Sequence, residues 1–187
     1  NGKSFEGKFL SRSEDLVNFN FIKKSGKIKP FSFENNRVYS FTKSGEKESV
    51  LYKKDTSIYH FYSQYEMRMF IYGEKDAYER FKGTRPWISG FVIGLGVSLY
   101  DTHLNNEGLL KRQPSIAQFI VPFVVPIVTG AIKPKMKAKY ASDPTFLANE
   151  FYIEGFKKVR RFKRVKSSLI GTICGVATGM IAYSLAK

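Results

Sequence analysis

Residues that could perform catalysis or bind a metal are few and widely separated in this sequence. The two histidines, His60 and His103, lie on opposite sides of an uncharged apolar segment, and neither has a second metal ligand or a catalytic partner nearby. The one cysteine, Cys174, lies in another apolar segment, where a thiol behaves as a small hydrophobic side chain. A single cysteine also excludes an intrachain disulfide and a cysteine metal cluster within these residues. We therefore predict that the chain is not an enzyme and that it binds neither a metal nor a cofactor.

The residues that are present in number and could bind a ligand are cations. Lys and Arg number 31 against 16 Asp and Glu, which gives a net charge of +15. Such an excess is typical of proteins that bind nucleic acid or an anionic membrane surface. Seven of these cations fall within ten consecutive residues: Lys157, Lys158, Arg160, Arg161, Lys163, Arg164 and Lys166. The segment that follows this basic cluster decides between the two kinds of partner.

That following segment, Ser167–Ala186, has 20 residues and no charge. At about 1.5 Å per helical residue it is long enough to cross a hydrocarbon core of about 30 Å. Lys and Arg beside such a segment keep their stems in apolar surroundings and their charges at the lipid phosphates. Each contributes about 1 kcal/mol of attraction to an anionic leaflet. We therefore predict that the basic cluster is an anionic-lipid interface. A nucleic-acid helix is the less favoured alternative, because binding phosphates does not require an adjoining apolar segment.

Two further uncharged stretches, residues 86–100 and 116–132, are predicted to be apolar helices. The first is short for a bilayer, and the second contains Pro122 and Pro126, which membrane helices tolerate where neighbours satisfy the freed carbonyls. Charge collects beside the apolar stretches and stays out of them, as in membrane proteins. The sequence thus predicts two or three short transmembrane helices, depending on whether residues 86–100 span. The alternative is that these segments are core helices of a soluble protein.

Small residues recur at helical spacing in two of the apolar segments. Five glycines at intervals of four residues form two stripes, one in each segment: Gly90 and Gly94, then Gly171, Gly175 and Gly179. Such stripes let membrane helices approach closely. The two segments and the charged helices before them also align at a spacing of 81 residues, which suggests an internal repeat. We predict that the first apolar helix packs on the last one through these glycines. Homo-oligomer formation is the alternative use of the stripes.

The order of these patterns predicts an α+β membrane protein with two regions. Residues 1–62 contain short Phe-, Val- and Tyr-rich pieces separated by polar turns, which predicts a small antiparallel β domain, a curled sheet or barrel. Residues 63–187 form the helical membrane region, with an amphipathic helix at 63–85. Its start is indicated by the capping-box spacing of Ser63 and Glu66. A long basic helix at 144–186, which starts after Asp143 and runs into the last span, ends the chain.

Several short motifs resemble those of a known group of proteins. "NGKSFEGKF" resembles a motif of small β domains in envelope proteins of Bacteroidota. "YGEKDAYERFKG" before the first apolar segment and "FYIEGFKKVRRFKRVK" before the last resemble short exported membrane proteins of the same bacteria, with Phe156 where a Tyr is usual. The resemblance implies an exported protein with a small N-terminal β domain and Gly-rich membrane helices. It implies a cellular location and an architecture, but it implies no reaction or ligand.

These observations favour a non-enzymatic, membrane-anchored accessory or structural subunit of a bacterial envelope complex, whose partners are anionic lipids and other envelope proteins. The alternatives are a self-associating pore or membrane-perturbing protein, and a membrane-tethered polyanion or nucleic-acid binder. The β domain and the basic helices are expected on one face of the membrane if the two apolar segments between them both span, or if both only dip in, since in either case the chain returns to its starting side. The eleven cations of residues 133–166 favour the cytoplasm. A start at Asn1 rather than methionine fits a removed signal peptide, and with the resemblance it favours the periplasmic face.

Overall fold

The computed structural model describes residues 2, 6–22, 26–43, 45–100, 102–104, 110–112, 116–133 and 136–185. In this part of the chain the strands are β1 (Gly7–Arg12), β2 (Leu16–Ile22), β3 (Ile28–Glu34), β4 (Ser40–Phe41), β5 (Ser49–Val50), β6 (Thr102–Leu104) and β7 (Leu110–Arg112). The α-helices are α1 (Gln64–Arg80), α2 (Thr84–Tyr100), α3 (Ala117–Ala131) and α4 (Glu150–Leu185). The protein is therefore of the α+β class, with a small sheet first and a long helix, apolar in its second half, last.

The first three strands form an antiparallel meander in the order β1-β2-β3. Alternation along the strands gives this sheet one aromatic and one polar face. On the aromatic face, the ring centroid of Phe19 lies 5.4 Å from that of Phe33. On the polar face, the Asn18 amide donates to the Ser11 hydroxyl at 3.1 Å and accepts from the Ser32 hydroxyl at 2.6 Å. Aromatic and polar cross-strand pairs therefore fix the register of the sheet.

The β region is less continuous than a single curled sheet or a barrel. Strands β4 and β5 pair only with each other, β6 pairs with β7 between α2 and α3, and the described strands form no closed barrel. Two tyrosines next to the β4–β5 pair show why that segment does not extend the meander. The hydroxyl of Tyr39 donates to the Gln64 carbonyl at 3.0 Å, and that of Tyr52 donates to the Tyr62 carbonyl at 2.9 Å. This segment is therefore held against the start of α1.

Helix α1 begins as the sequence predicts. The Ser63 side chain accepts from the Glu66 amide, and the Glu66 carboxylate accepts from the Ser63 amide at 2.7 Å, which confirms the capping box. The helix ends at Arg80 rather than at residue 85, and the chain turns at residues 81–83 before α2 begins. The N-terminal half of α4 packs along α1, and their shared core contains Ala77, Phe81, Phe156 and Val159.

Helix α4 runs without interruption over 36 residues. It begins at Glu150 and not directly after Asp143, which instead caps a short 3-10 turn at Pro144–Ala148. The amide of Tyr152 donates to the Asn149 side chain at 3.2 Å, so Asn149 caps the α-helix. We call Glu150–Lys166 its basic half and Ser167–Leu185 its apolar half. Of the helices described, α4 alone is long and apolar enough to cross a membrane, since α2 has 17 residues and α3 has 15. By this measure there is one candidate span rather than two or three.

Candidate membrane interface

Helices α2 and α3 and the apolar half of α4 form a three-helix bundle whose outer surface is apolar. On α3, for example, Phe119, Phe123 and Ile127 are each more than two-thirds exposed. The full set of large, exposed apolar side chains on these helices is Trp87, Ile88, Val92, Ile93, Leu99, Tyr100, Phe119, Ile120, Phe123, Val124, Ile127, Val128, Ile170, Ile173, Ile181 and Leu185. A contiguous exposed apolar surface of this kind marks a membrane or protein contact.

Many of the side chains that are buried inside the same bundle are small and polar. Its buried side chains include Ser98, Gln118, Ser168 and Thr172, each at most 2% exposed. The hydroxyl of Thr172 donates to the Ser168 carbonyl one turn earlier, at 2.8 Å. The hydroxyls of Thr129 and Ser168 lie 3.3 Å apart and join α3 to α4. This distribution is the reverse of a soluble helical bundle, in which large apolar side chains face inward.

The predicted glycines lie where α2 and α4 approach each other. A Cβ atom placed on Gly90 would lie 2.5 Å from the Ser168 carbonyl oxygen, and one placed on Gly171 would lie under 3.0 Å from the Trp87 carbonyl oxygen. These two contacts are reciprocal, because each glycine faces the backbone of the other helix. Gly94 and Gly175 face the backbone of the other helix in the same way, and a Cβ atom placed on Gly179 would lie 2.5 Å from the Ser98 side chain. A side chain at any of these positions would force the helices apart.

The start of α2, the end of α3 and the start of the apolar half of α4 lie side by side at one end of the bundle. Gly83, just before α2, lies against Ser167, at the start of the apolar half of α4. At the end of α3, the Ile132 carbonyl accepts a hydrogen bond from Arg164 Nη1 at 2.8 Å. Arg85 and Lys133 therefore flank this level, with Lys166 on α4. We call it the junction, because charged and apolar parts of all three helices meet there.

Lys163 of the basic cluster points into the protein. Its ammonium group donates to the carbonyls of Ala77 at 3.1 Å, Tyr78 at 2.5 Å and Phe81 at 3.0 Å. Ala77 and Tyr78 lie in the last turn of α1, whose carbonyls have no partner within the helix, and Phe81 directly follows it. Burial lowers the pKa of Lys163. The side chain therefore caps α1 and fixes its end to α4.

Three further members of the basic cluster also have protein partners. Arg164 binds the end of α3, as described above. Lys158 Nζ lies 3.0 Å from the buried Glu74 carboxylate. The Arg160 guanidinium lies over the rings of Phe81 and Tyr140, at 5.1 and 5.7 Å from their centroids. The other three members, Lys157, Arg161 and Lys166, are exposed, and the described residues provide no partner for them.

A buried carboxylate joins α1 to α4 on the side of the bundle where the basic half lies. Asp76 Oδ2 accepts from the Tyr152 hydroxyl at 2.6 Å and from the amide and hydroxyl of Ser142, both at 2.7 Å. Its other oxygen lies 3.5 Å from Arg80 Nε, the pair that the i,i+4 spacing predicts. Burial and the Asp76 hydrogen bond raise the pKa of Tyr152. Sequence reasoning missed Ser142 and Tyr152 as partners of Asp76, because both are distant from it in the chain.

No protein-family model, curated protein or solved structure matches this chain. The function must therefore be argued from the geometry of the bundle and of the junction.

The two histidines and the cysteine are the residues whose side chains could most readily perform catalysis or bind a metal. The His60 ring stacks on Tyr52 with centroids 4.8 Å apart, and its Nδ1 lies 3.2 Å from the Lys53 carbonyl. Cys174 is exposed on the outer surface of the bundle. The side chain of His103 lies outside the described residues. Among the residues that the structure describes, no three His, Cys, Asp or Glu side chains are grouped so that they could hold a metal ion.

Proposed function

We propose that this chain is a non-enzymatic, membrane-anchored accessory or structural subunit of a bacterial envelope complex, in which α2, α3 and the apolar half of α4 cross the membrane together. The observation that carries the proposal is the inverted polarity of the bundle. Its large apolar side chains face outward, whereas four polar side chains, Ser98, Gln118, Ser168 and Thr172, are buried inside it. In water, this arrangement would leave the apolar surface unburied, whereas lipid would solvate it.

The lengths of the helices are compatible with a common crossing. At about 1.5 Å per residue, α2 and α3 measure about 25 and 22 Å and the apolar half of α4 about 28 Å. A hydrocarbon core of about 30 Å can thin locally at a cost of fractions of a kcal/mol per Å. Arg85 and Lys133 can extend their charges toward the headgroups. The faces of α2 and α3 that point into the bundle contact protein rather than lipid, so neither helix needs to be stable alone in the bilayer.

A partner surface for the proposed complex lies at the start of α1, beside the β domain. Tyr59, Phe61 and Tyr65 are 82%, 58% and 64% exposed. Tyr59 also has a φ of 62°, in the left-handed region that a tyrosine rarely adopts. Exposed aromatic side chains of this kind are typical anchors of protein interfaces. We therefore expect other envelope proteins to bind on the face of the membrane where the β domain lies, with the periplasmic face favoured.

A pore is the less favoured alternative. A pore requires polar side chains that line a space, and here the inward hydroxyls lie against the glycine backbones of neighbouring helices. The Cβ distances at Gly90 and Gly171 leave no room even for a methyl group at those points. The buried hydroxyls therefore support helix packing more than conduction.

The experiment that tests membrane insertion uses a substitution for which membrane and soluble proteins give opposite results. Phe123, on the outside of α3, is 69% exposed. A lysine near the centre of a membrane helix costs about 2.5–3.5 kcal/mol. We expect Phe123→Lys to reduce the amount of full-length protein that resists carbonate extraction, whereas Tyr59→Lys leaves it unchanged. Release of the native chain by carbonate, or better solubility of Phe123→Lys without detergent, would contradict insertion. Co-purification in mild detergent then tests for the complex.

A further inference from the structure

We propose that a cavity at the junction binds the phosphate group of an anionic phospholipid. This inference rests on the proposed membrane insertion and specifies which lipid group the protein recognises, and where. The cavity has a volume of about 460 Å³ and lies between the turn that joins α1 to α2 and the middle of α4. Its lining includes Tyr78, Lys82, Phe162, Lys166 and Ser167.

Two ammonium groups in this cavity are available for a ligand. Lys82 and Lys166 are both exposed, and the described residues provide no partner for either. The third lysine of the lining, Lys163, uses its three donors on the end of α1. It adds a fixed positive charge that cannot turn away into solvent. The cavity therefore combines two mobile donors, one fixed charge and the Ser167 hydroxyl, which together suit the oxygens of a phosphate.

The position of the cavity, at the start of the apolar segments, favours a lipid over a soluble phosphate. Ser167 is the first residue of the apolar half of α4, and Gly83 directly precedes α2. When the bundle crosses a membrane, this level coincides with the lipid phosphates. Phe162, which is 61% exposed, also lines the cavity and provides an apolar wall for the glycerol and upper acyl region. A free phosphate ion has no apolar part that could contact this wall.

One carboxylate in the lining limits the charge that the cavity accepts. Glu79 is exposed, and it lines the cavity together with the three lysines. A like charge at this distance opposes an anion, so the net attraction is less than three lysines alone would give. This arrangement favours a phosphodiester with one negative charge over a ligand with several phosphates. It also provides a substitution that is expected to strengthen binding, since Glu79→Gln removes the repulsion.

A second depression on α4 provides a matched control. It is lined by Lys157, Lys158 and Arg161 among others, and it has a volume of about 510 Å³. Lys157 and Arg161 are exposed cations without a partner among the described residues, like Lys82 and Lys166. They lie further from the apolar half of the helix. Removing them changes the net charge by the same amount without touching the proposed site.

The test measures lipid binding to the full-length protein in a neutral detergent, by native mass spectrometry with added phosphatidylglycerol or phosphatidylcholine. We expect phosphatidylglycerol to bind more tightly. Each lysine is expected to contribute about fivefold, which corresponds to about 1 kcal/mol per cation near an anionic lipid. The pair Lys82→Ala and Lys166→Ala should therefore weaken phosphatidylglycerol binding about 30-fold. The pair Lys157→Ala and Arg161→Ala should change it less than threefold, and Glu79→Gln should strengthen it.

Three results would overturn the inference. Equal losses in the two double variants would mean that binding follows net charge and not the cavity. Displacement of the lipid by millimolar inorganic phosphate would identify an ion site that does not require a lipid. Displacement by a short oligonucleotide at low salt would favour the polyanion binder instead. Carbonate extraction of the same variants separates the two proposals, because loss of lipid selectivity with retained extraction resistance rejects the lipid site alone.

Discussion

Replacing Gly175 with alanine is predicted to separate α2 from α4. A Cβ atom at this position would lie under 3.0 Å from the Phe91 carbonyl oxygen and 2.7 Å from the Leu95 amide nitrogen. Both neighbours are backbone atoms of α2, so no side-chain rotation can relieve the contact. Ordinary Cβ contacts lie at 3.4–4 Å, and the helices must therefore move apart. A gap of about 0.5–1 Å forfeits a quarter to a half of the dispersion energy of the contacting atoms.

The expected magnitude follows from a comparison with Gly96. This glycine lies in α2 and is exposed, and a Cβ atom added to it would have no neighbouring atom within 4 Å. Alanine gains about 1 kcal/mol over glycine in helix propensity at either site. That gain cancels when Gly175→Ala is compared with Gly96→Ala. The difference that remains is the cost of overpacking, about 1–3 kcal/mol, and we expect the upper part of this range because only backbone atoms are involved.

The assay is reversible unfolding of the purified protein in mixed micelles, with the free energy of unfolding compared among variants. Gly171→Ala makes a similar contact with Trp87. One separation of the helices relieves both contacts, so the double variant with Gly175→Ala should lose less than the sum of the two single losses. Equal stability of Gly175→Ala and Gly96→Ala would refute the close approach of the helices. Fully additive losses would refute the rigid separation.

Three further predictions concern the basic half of α4 and the sidedness of the chain. Because the pKa of Tyr152 is raised in the folded state, its contribution is complete below the ordinary value of 10.0 and is lost as pH rises toward the folded pKa. Stability should therefore fall above about pH 10 less steeply in Tyr152→Phe than in the native protein, as measured by chemical denaturation. Lys163→Met should lower the free energy of unfolding by about 1.5–3 kcal/mol, since it removes charged hydrogen bonds, whereas Lys157→Met should change it by less than about 0.5 kcal/mol. Cysteines at Lys47 and Lys137, in a chain without its native cysteine, should react with an impermeant thiol reagent from the same side of the membrane; reaction from opposite sides would contradict the shared face.

The features that could be predicted from the sequence depend on local patterns. The capping box at Ser63 requires only two residues at a fixed spacing, and the structure confirms it. The apolar helix that ends the chain follows from 20 uncharged residues. The β region can be predicted only in outline, because the pairing of short strands depends on contacts distant in sequence. Its β4–β5 segment is held by bonds from Tyr39 and Tyr52 to backbone carbonyls at the start of α1, which no strand pattern indicates.

The orientation of the basic cluster could not be obtained from charge alone. A run of Lys and Arg indicates an attraction to anions, but the helix face on which each one lies depends on where α1 packs. One signal was available in the spacing. Tyr152, Phe156, Val159 and Lys163 recur at intervals of three or four residues and so lie on one face of a helix. Three of them form part of the buried core, which means that Lys163 on the same face points toward the end of α1.

The continuity of α4 connects the β domain with the three-helix bundle. The Tyr62 hydroxyl donates to Glu154 at 3.2 Å near the start of α4, and Lys163 holds the end of α1 two to three turns later. Beyond the junction, the same helix contacts α2 through Gly171 and Gly175. A rotation of α4 about its axis would therefore break the contacts of α1 and of α2 together. For this reason, a partner that binds the exposed aromatic side chains beside the β domain would bind a part of the protein that α4 joins to the bundle.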